Sequence, residues 1–180
     1  MINHNVFNST SARTIANQLG CFTVVEYMKD ISVSPTSAQT AYFMSKMGVH
    51  KRQVIASLNQ QGIILQAGAM QMIVGAVEMK VVGRSSFSSA IAGGEGLFNT
   101  CLSGSGIVCL ESPVPAEELL VFDIINDTLK IDGNMAIAWS NTLQFTVERS
   151  SKTLIGSAAS GEGLVNVYRG TGRVLVAPVT

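Results

Sequence analysis

From about Gln53 onward the apolar residues fall into short runs that alternate with polar ones and are punctuated by glycine. Val77, Met79 and Val81 alternate with Glu78 and Lys80; Leu143, Phe145 and Val147 alternate with Thr142, Gln144, Thr146 and Glu148. A period of two sends successive side chains to opposite faces, so these runs predict strands with one buried and one wet face. Roughly ten to twelve strands are predicted, at the spacing of a sandwich or barrel. One helix is predicted ahead of them. Ser34 followed by Pro35 resembles an N-cap with proline at the first helical position, and Gly48 sits where a C-terminal cap belongs. Ala38, Ala41, Tyr42 and Met44 to Met47 give that helix an apolar stripe, read as core packing. The predicted organisation is an N-terminal segment, residues 1–52, with its short helix packed on a β domain formed by residues 53–180.

The β-rich region contains an internal repeat. Residues Gly94 to Leu110 and Gly161 to Val176 both read Gly-Glu-Gly-Leu-x-Asn, then Gly-Ser/Thr-Gly, then a β-rich run. A repeat implies one supersecondary unit used twice. Its expected form is a strand, a tight Gly-Ser/Thr-Gly turn whose glycines take positive φ, and a returning strand. Cys101 and Cys109 are then expected to face each other across the first hairpin. The fold class expected is all-β, a double-stranded β-helix or barrel-like β-sandwich built on the repeated hairpin with one short N-terminal helix.

The two Gly-Glu-Gly-Leu segments, with Gln66-Ala67-Gly68-Ala69-Met70 and Leu129-Lys130-Ile131-Asp132, resemble the altered inheritance of mitochondria protein 24 family. The resemblance spans Val54 to Pro178, and residues Met1 to Lys51 do not carry it. It implies kinship with bacterial proteins of unknown function and a fungal mitochondrial member. It also implies a double-stranded β-helix similar to the tryptophan RNA-binding attenuation protein fold, often assembled as a trimer, with no established catalytic residues to carry over.

Composition narrows the function. The 180 residues carry 12 basic and 12 acidic side chains, where average usage of about 25% would give roughly 45 charges. Ordinary apolar content with no net charge excludes disorder, and a neutral balance argues against a nucleic-acid partner. The longest uncharged stretch, Gln53 to Val77, is interrupted by Asn59, Gln60, Gln61, Gln66 and Gln71, so no membrane span is expected. Three cysteines without Cys-x-x-Cys spacing, and a start lacking a signal-peptide pattern, lead to the expectation of a reducing, cytoplasmic location. Sparse charge also suits a subunit interface, because burying unpaired charge is costly.

Catalytic patterns are missing from the sequence. The two histidines, His4 and His50, lie outside the β-rich region, so a histidine metal site in a barrel is not expected. Gly104-Ser105-Gly106 lacks the nucleophile-elbow spacing, and neither glycine-rich stretch has phosphate-loop spacing. Asp123, Asp127 and Asp132 are read as turn residues. No cofactor or metal is expected. Glu95 and Glu162 recur at matching repeat positions between glycines, and Arg169 and Arg173 flank the second Gly-Thr-Gly; these four are the candidate ligand-binding residues. The expectation is a non-enzymatic structural or interaction protein that forms a homo-oligomer, with an unidentified protein partner or small ligand. The alternative is a small-molecule-binding module with its pocket between the repeated hairpins.

Overall fold

Both alternating runs lie in one antiparallel sheet. A computed structural model describes residues 2–83, 98–133, 135–149 and 164–178. In chain order the elements are β1 (Arg13–Leu19), β2 (Phe22–Tyr27), α1 (Ala38–Lys46), β3 (Lys51–Asn59), β4 (Ile63–Leu65), β5 (Met70–Gly83) and β6 (Phe98–Glu111). Then follow β7 (Leu120–Asp132), β8 (Ala136–Ser140), β9 (Gln144–Arg149) and β10 (Leu164–Val176). The fold is all-β with one helix, as expected. The sheet order is β1-β2-β3-β6-β4-β8-β10-β7, with β5 also beside β6 and β9 also beside β10. β1 and β2 continue the sheet from β3, so the sheet runs across the boundary expected between residues 52 and 53.

The repeat defines the two spines of this sheet. β6 carries β5 along one edge and both β3 and β4 along the other. β10 likewise carries β7 on one edge and both β8 and β9 on the other. This corrects the hairpin reading: Gly104-Ser105-Gly106 and Gly170-Thr171-Gly172 lie mid-strand and are not turns. The glycines are needed for close approach. A Cβ on Gly104 would collide with the Ala76 carbonyl oxygen and one on Gly106 with that of Val74, while Gly104 itself sits at φ +118°. A strand glycine of this kind marks a bend where two backbones meet. Cys101 and Cys109 consequently share one strand and do not face each other; Cys101 pairs with Ile64 and Lys80, Cys109 with Ile55 and Met72. Asp123, Asp127 and Asp132, expected in turns, are likewise strand residues of β7, with the positive φ of Asn126 marking an irregularity in its register.

Alternation along β3 and β10 feeds separate cores on the two sheet faces, whereas on β5 the expected buried face is not closed: Met79 and Val81 are exposed and Val77 is half-buried. Val54, Ala56 and Leu58 of β3 join Phe22, Leu65, Leu102, Leu110, Ala138 and Leu175 in the largest cluster. Because that cluster draws on β2 near one end and β10 near the other, the sheet curls around it as a half-barrel. Ile55, between two of those residues, points into a second cluster with Val25, Ile107 and Cys109. Val174 and Val176 flank Leu175 and enter a third, where Trp139, Phe145 and Tyr168 pack with ring centroids 5.1–5.2 Å apart. Such aromatic contacts add about 0.5–1.5 kcal/mol to the burial of area itself.

The helix differs from its expectation. None of its residues is buried, so its apolar stripe is not core. The reason is topological: Tyr27 pairs directly with Lys51, and residues 28–50 loop out from the end of the β2–β3 hairpin. The C-terminal cap is as expected. Val49 N–H donates to the Met44 carbonyl and Gly48 N–H to that of Ser45, with Gly48 at φ +79°, a Schellman closure. Pro35 lies one turn earlier than the first helical position, in a turn closed by the Ser37 N–H on the Ser34 carbonyl.

Candidate functional site

Two regions gather polar chemistry among the described residues. The first is a cleft of about 790 Å³ where β2 ends, β3 begins and β6 ends; Tyr27, Asp30, Ile31, His50, Arg52, Gln53, Gln71 and Glu111 line it. Its floor is ordered by relay. The Tyr27 hydroxyl donates to Gln53 Oε1 at 3.1 Å, and Gln53 Nε2 donates to Gln71 Oε1 at 2.8 Å. Lys51 Nζ lies 2.5 Å from Asp30, and this bond, helped by Ser32, holds the Asp30 carboxyl below its usual range. Arg52 Nε donates to the His50 carbonyl at 3.0 Å. The ring Nδ1 of His50 is buried without a hydrogen-bond partner among the described residues. A smaller cavity of about 180 Å³ continues under the helix between Met28, Ala41, Met44 and Val49. Sequence reasoning had set His50 aside as lying outside the β-rich region; the fold brings it to the junction of both spaces.

The second region lies on β10. Arg169 Nη2 donates to Glu148 Oε1 at 2.6 Å and Nη1 to the Thr146 hydroxyl at 3.1 Å, and Lys130 Nζ stands 3.7 Å from the same carboxylate. The Arg169 bond is the main reason the Glu148 carboxyl sits below its usual range. Arg173 grips Asp123 with both Nε (2.6 Å) and Nη2 (2.9 Å), and Nη1 reaches the Leu19 carbonyl at 3.4 Å. The two arginines thus serve different carboxylates on different strands. Arg173 also ties the β1–β2 turn to β10, closing the curl of the sheet. Of the other candidates, Glu95 and Glu162 lie outside the described residues.

The repeat marks a further pair that sequence reasoning passed over. Asn99 and Asn166, the shared asparagines of Gly-Glu-Gly-Leu-x-Asn, are both buried. Asn166 Nδ2 donates to the Gly133 carbonyl at 2.8 Å, whereas Asn99 Oδ1 has no hydrogen-bond partner among the described residues. Their recurrence at one repeat position was the available signal.

The thiols sit in half-buried (Cys21, Cys101) or buried (Cys109) settings. Burial pushes Cys21, Cys101 and Cys109 above the ordinary thiol range, against weaker opposing pulls from Arg173, Lys80 and Arg13 respectively. No group of three His, Cys, Asp or Glu side chains among the described residues is placed to hold a metal ion. Nor is any described helix long and apolar enough to cross a membrane.

Comparison with known proteins places this geometry. A crystal structure of a Streptococcus pyogenes protein superposes with a TM-score of 0.58 at 18% identity, covering 93% of both chains, which supports the fold. An uncharacterised protein of Streptococcus pyogenes serotype M6 is 26% identical over 126 residues, 69% of this chain. The chain spans about half the length of that curated relative, 49%. The family model described as mitochondrial biogenesis AIM24 matches residues 7–179, taking in β1 and β2 as well as the two spine strands. The chain belongs to this family, AIM24.

Proposed function

We propose that this protein is a structural component that assembles with copies of itself through the edges of its sheet. The observation that carries this reading is the state of β5 and β7. They are 14 and 13 residues long respectively, and each is paired on one side only among the described residues. Natural edge strands are kept short or guarded by proline and inward charge, because a free row of N–H and C=O groups invites another strand. These two are long and free of proline, and they carry exposed apolar side chains: Met79 and Val81 (68% exposed) on β5, Phe122 and Ile125 (79% exposed) on β7.

The equivalent places of β5 and β7 beside the two spines favour a head-to-tail contact, β5 of one copy against β7 of the next. Such heterologous contacts close into rings when the rotation permits. The trimer implied by the family resemblance is the simplest ring of this kind. Light scattering on a size-exclusion column at micromolar concentration tests the proposal. A multimer that Val81→Lys and Ile125→Lys each dissociate is the expected result. A monomeric wild-type protein overturns it.

A second reading rests on the cleft beside His50, whose volume falls within the about 300–1,000 Å³ of small-molecule sites. It lies at the β2–β3 end of the sheet and not between the repeated strands. Ligand binding to the native state raises melting temperature by linkage. A thermal-shift series with small carboxylates and phosphates in which no compound moves the midpoint, or in which His50→Ala responds like the wild type, removes this reading.

A further inference from the structure

The connection between β2 and β3 presents the most exposed apolar side chains of the described protein, and they stand among cations. Helical spacing sorts α1 into two sides. Ala41, Met44 and Ser45 line the small cavity beneath it. Phe43 and Met47, one turn apart, and Tyr42 with Lys46, also one turn apart, belong to the other side. Met47 is 80% exposed and Ile31, on the same connection, 84%; Tyr42 and Phe43 are each more than half exposed. Tyr42 and Phe43 meet edge to face at 5.6 Å, and Lys46 Nζ lies 5.4 Å from the Tyr42 ring centroid.

The charge around this tip is one-sided. No aspartate or glutamate occurs from Ile31 through Val77. Lys29, Lys46 and Lys51 are exposed, and Arg52 lies beside them at the start of β3. The acids at this end are Asp30, tied to Lys51, Glu26, which stands opposite Arg52 across β2 and β3 and accepts the Ala116 N–H, and Glu111, which lines the cleft. Charge complementarity singles out an anionic bilayer as the surface these side chains meet: exposed aromatic and methionine side chains stand on the same connection as exposed lysines. Apolar side chains enter the acyl boundary while the cations stay at the anionic headgroups.

We propose that α1 and its flanking connection dock this protein on an anionic membrane surface, with Ile31, Phe43 and Met47 entering the interface and Lys29, Lys46 and Lys51 held at the headgroups. This is peripheral attachment by one projecting tip. Several copies in one assembly would present several tips, so weak single contacts would combine.

Co-sedimentation of the full chain with vesicles tests it, using phosphatidylcholine alone and phosphatidylcholine mixed with phosphatidylglycerol. Binding is expected to the mixed vesicles and to fall as salt is raised, since exposed charges are screened over about 8–10 Å at physiological ionic strength. Lys29→Glu and Lys46→Glu should each weaken partition by about fivefold or more, from roughly 1 kcal/mol per cation near the surface. Phe43→Ser with Met47→Ser should abolish it while leaving thermal unfolding unchanged, because both side chains are exposed. Equal binding to both vesicle types, no binding to either, or undiminished binding by these variants overturns the proposal. So does dissociation of the wild-type multimer by Phe43→Ser with Met47→Ser, which would make the tip a subunit contact.

Discussion

The Arg173 guanidinium occupies the space that a Cβ on Gly20 would fill. Gly20 turns the chain from β1 to β2 at φ +67°, and the vacancy lets an arginine from β10, more than 150 residues further along, reach the carbonyl of Leu19. One missing side chain therefore lets the two ends of the curled sheet touch. Gly20→Ala should destabilise the fold by about 1–2 kcal/mol from left-handed backbone strain alone, read as a lower urea midpoint with an unchanged slope. Arg173→Leu should loosen the β1–β2 turn more than the rest, visible as faster amide exchange there.

The carboxylates held by cations make acid the destabilising direction. Asp30, Asp123 and Glu148 all sit below their usual ranges, chiefly through side-chain hydrogen bonds from Lys51, Arg173 and Arg169. A group whose folded pKa is depressed contributes stability that is present above its unfolded pKa and lost as pH falls through the folded value. Stability from these groups should be level above about pH 5 and decline below about pH 4. Urea midpoints measured across that window should fall less steeply for Asp123→Asn than for the wild type.

Leu102 sits at the centre of the largest cluster with no exposure. Leu102→Ala should cost about 2–5 kcal/mol, the range for a buried leucine whose cavity collapses only partly. Chemical denaturation measures it directly.

At the bend of β6 the neighbours are backbone atoms that cannot swing aside. Gly104→Ala should therefore cost at least about 1–3 kcal/mol and lower soluble yield, whereas Gly68→Ala, where a Cβ meets nothing within 4 Å, should cost only its backbone strain. Parallel thermal melts of the two variants make the comparison.

The thiols offer a rate measurement. With each pushed above the ordinary range by burial, reaction with a disulfide reagent in native protein at neutral pH should be slow, Cys109 slowest, and guanidinium should bring all three to the rate of a free thiol near pKa 8.5.

The alternating runs announced their strands because a period of two is a property of the chain itself. The glycine triplets were misread for a related reason. Positive φ serves a turn and a mid-strand bend equally well, and the choice was made by Ala76 and Val74, which lie about thirty residues upstream of the triplet they touch. The C-terminal end of the helix was legible in Gly48, whereas Ser34 and Pro35 placed its start one turn early, because they form a separate turn ahead of Ser37. Its stripe was misjudged because periodicity shows which residues share a face and not whether anything covers that face. Arg169 and Arg173 stood out as charges, but their partners Glu148 and Asp123 come from neighbouring strands that only the sheet brings close. The same holds for His50, which becomes notable only when the β2–β3 hairpin places it between two cavities.

The pairing of β4 with β8 has a mechanical meaning. The first spine and its partners join the second through the rungs Ile63–Ser140, Ile64–Trp139 and Leu65–Ala138, three residues from each side. Pull the chain from its two ends, and a ladder this short is the rung set that bears shear for both halves at once, with the Arg173 clasp as its only polar reinforcement among the ties described above. A force spectrometer should see this protein part along that zipper first, each half keeping its own spine until a second, higher event.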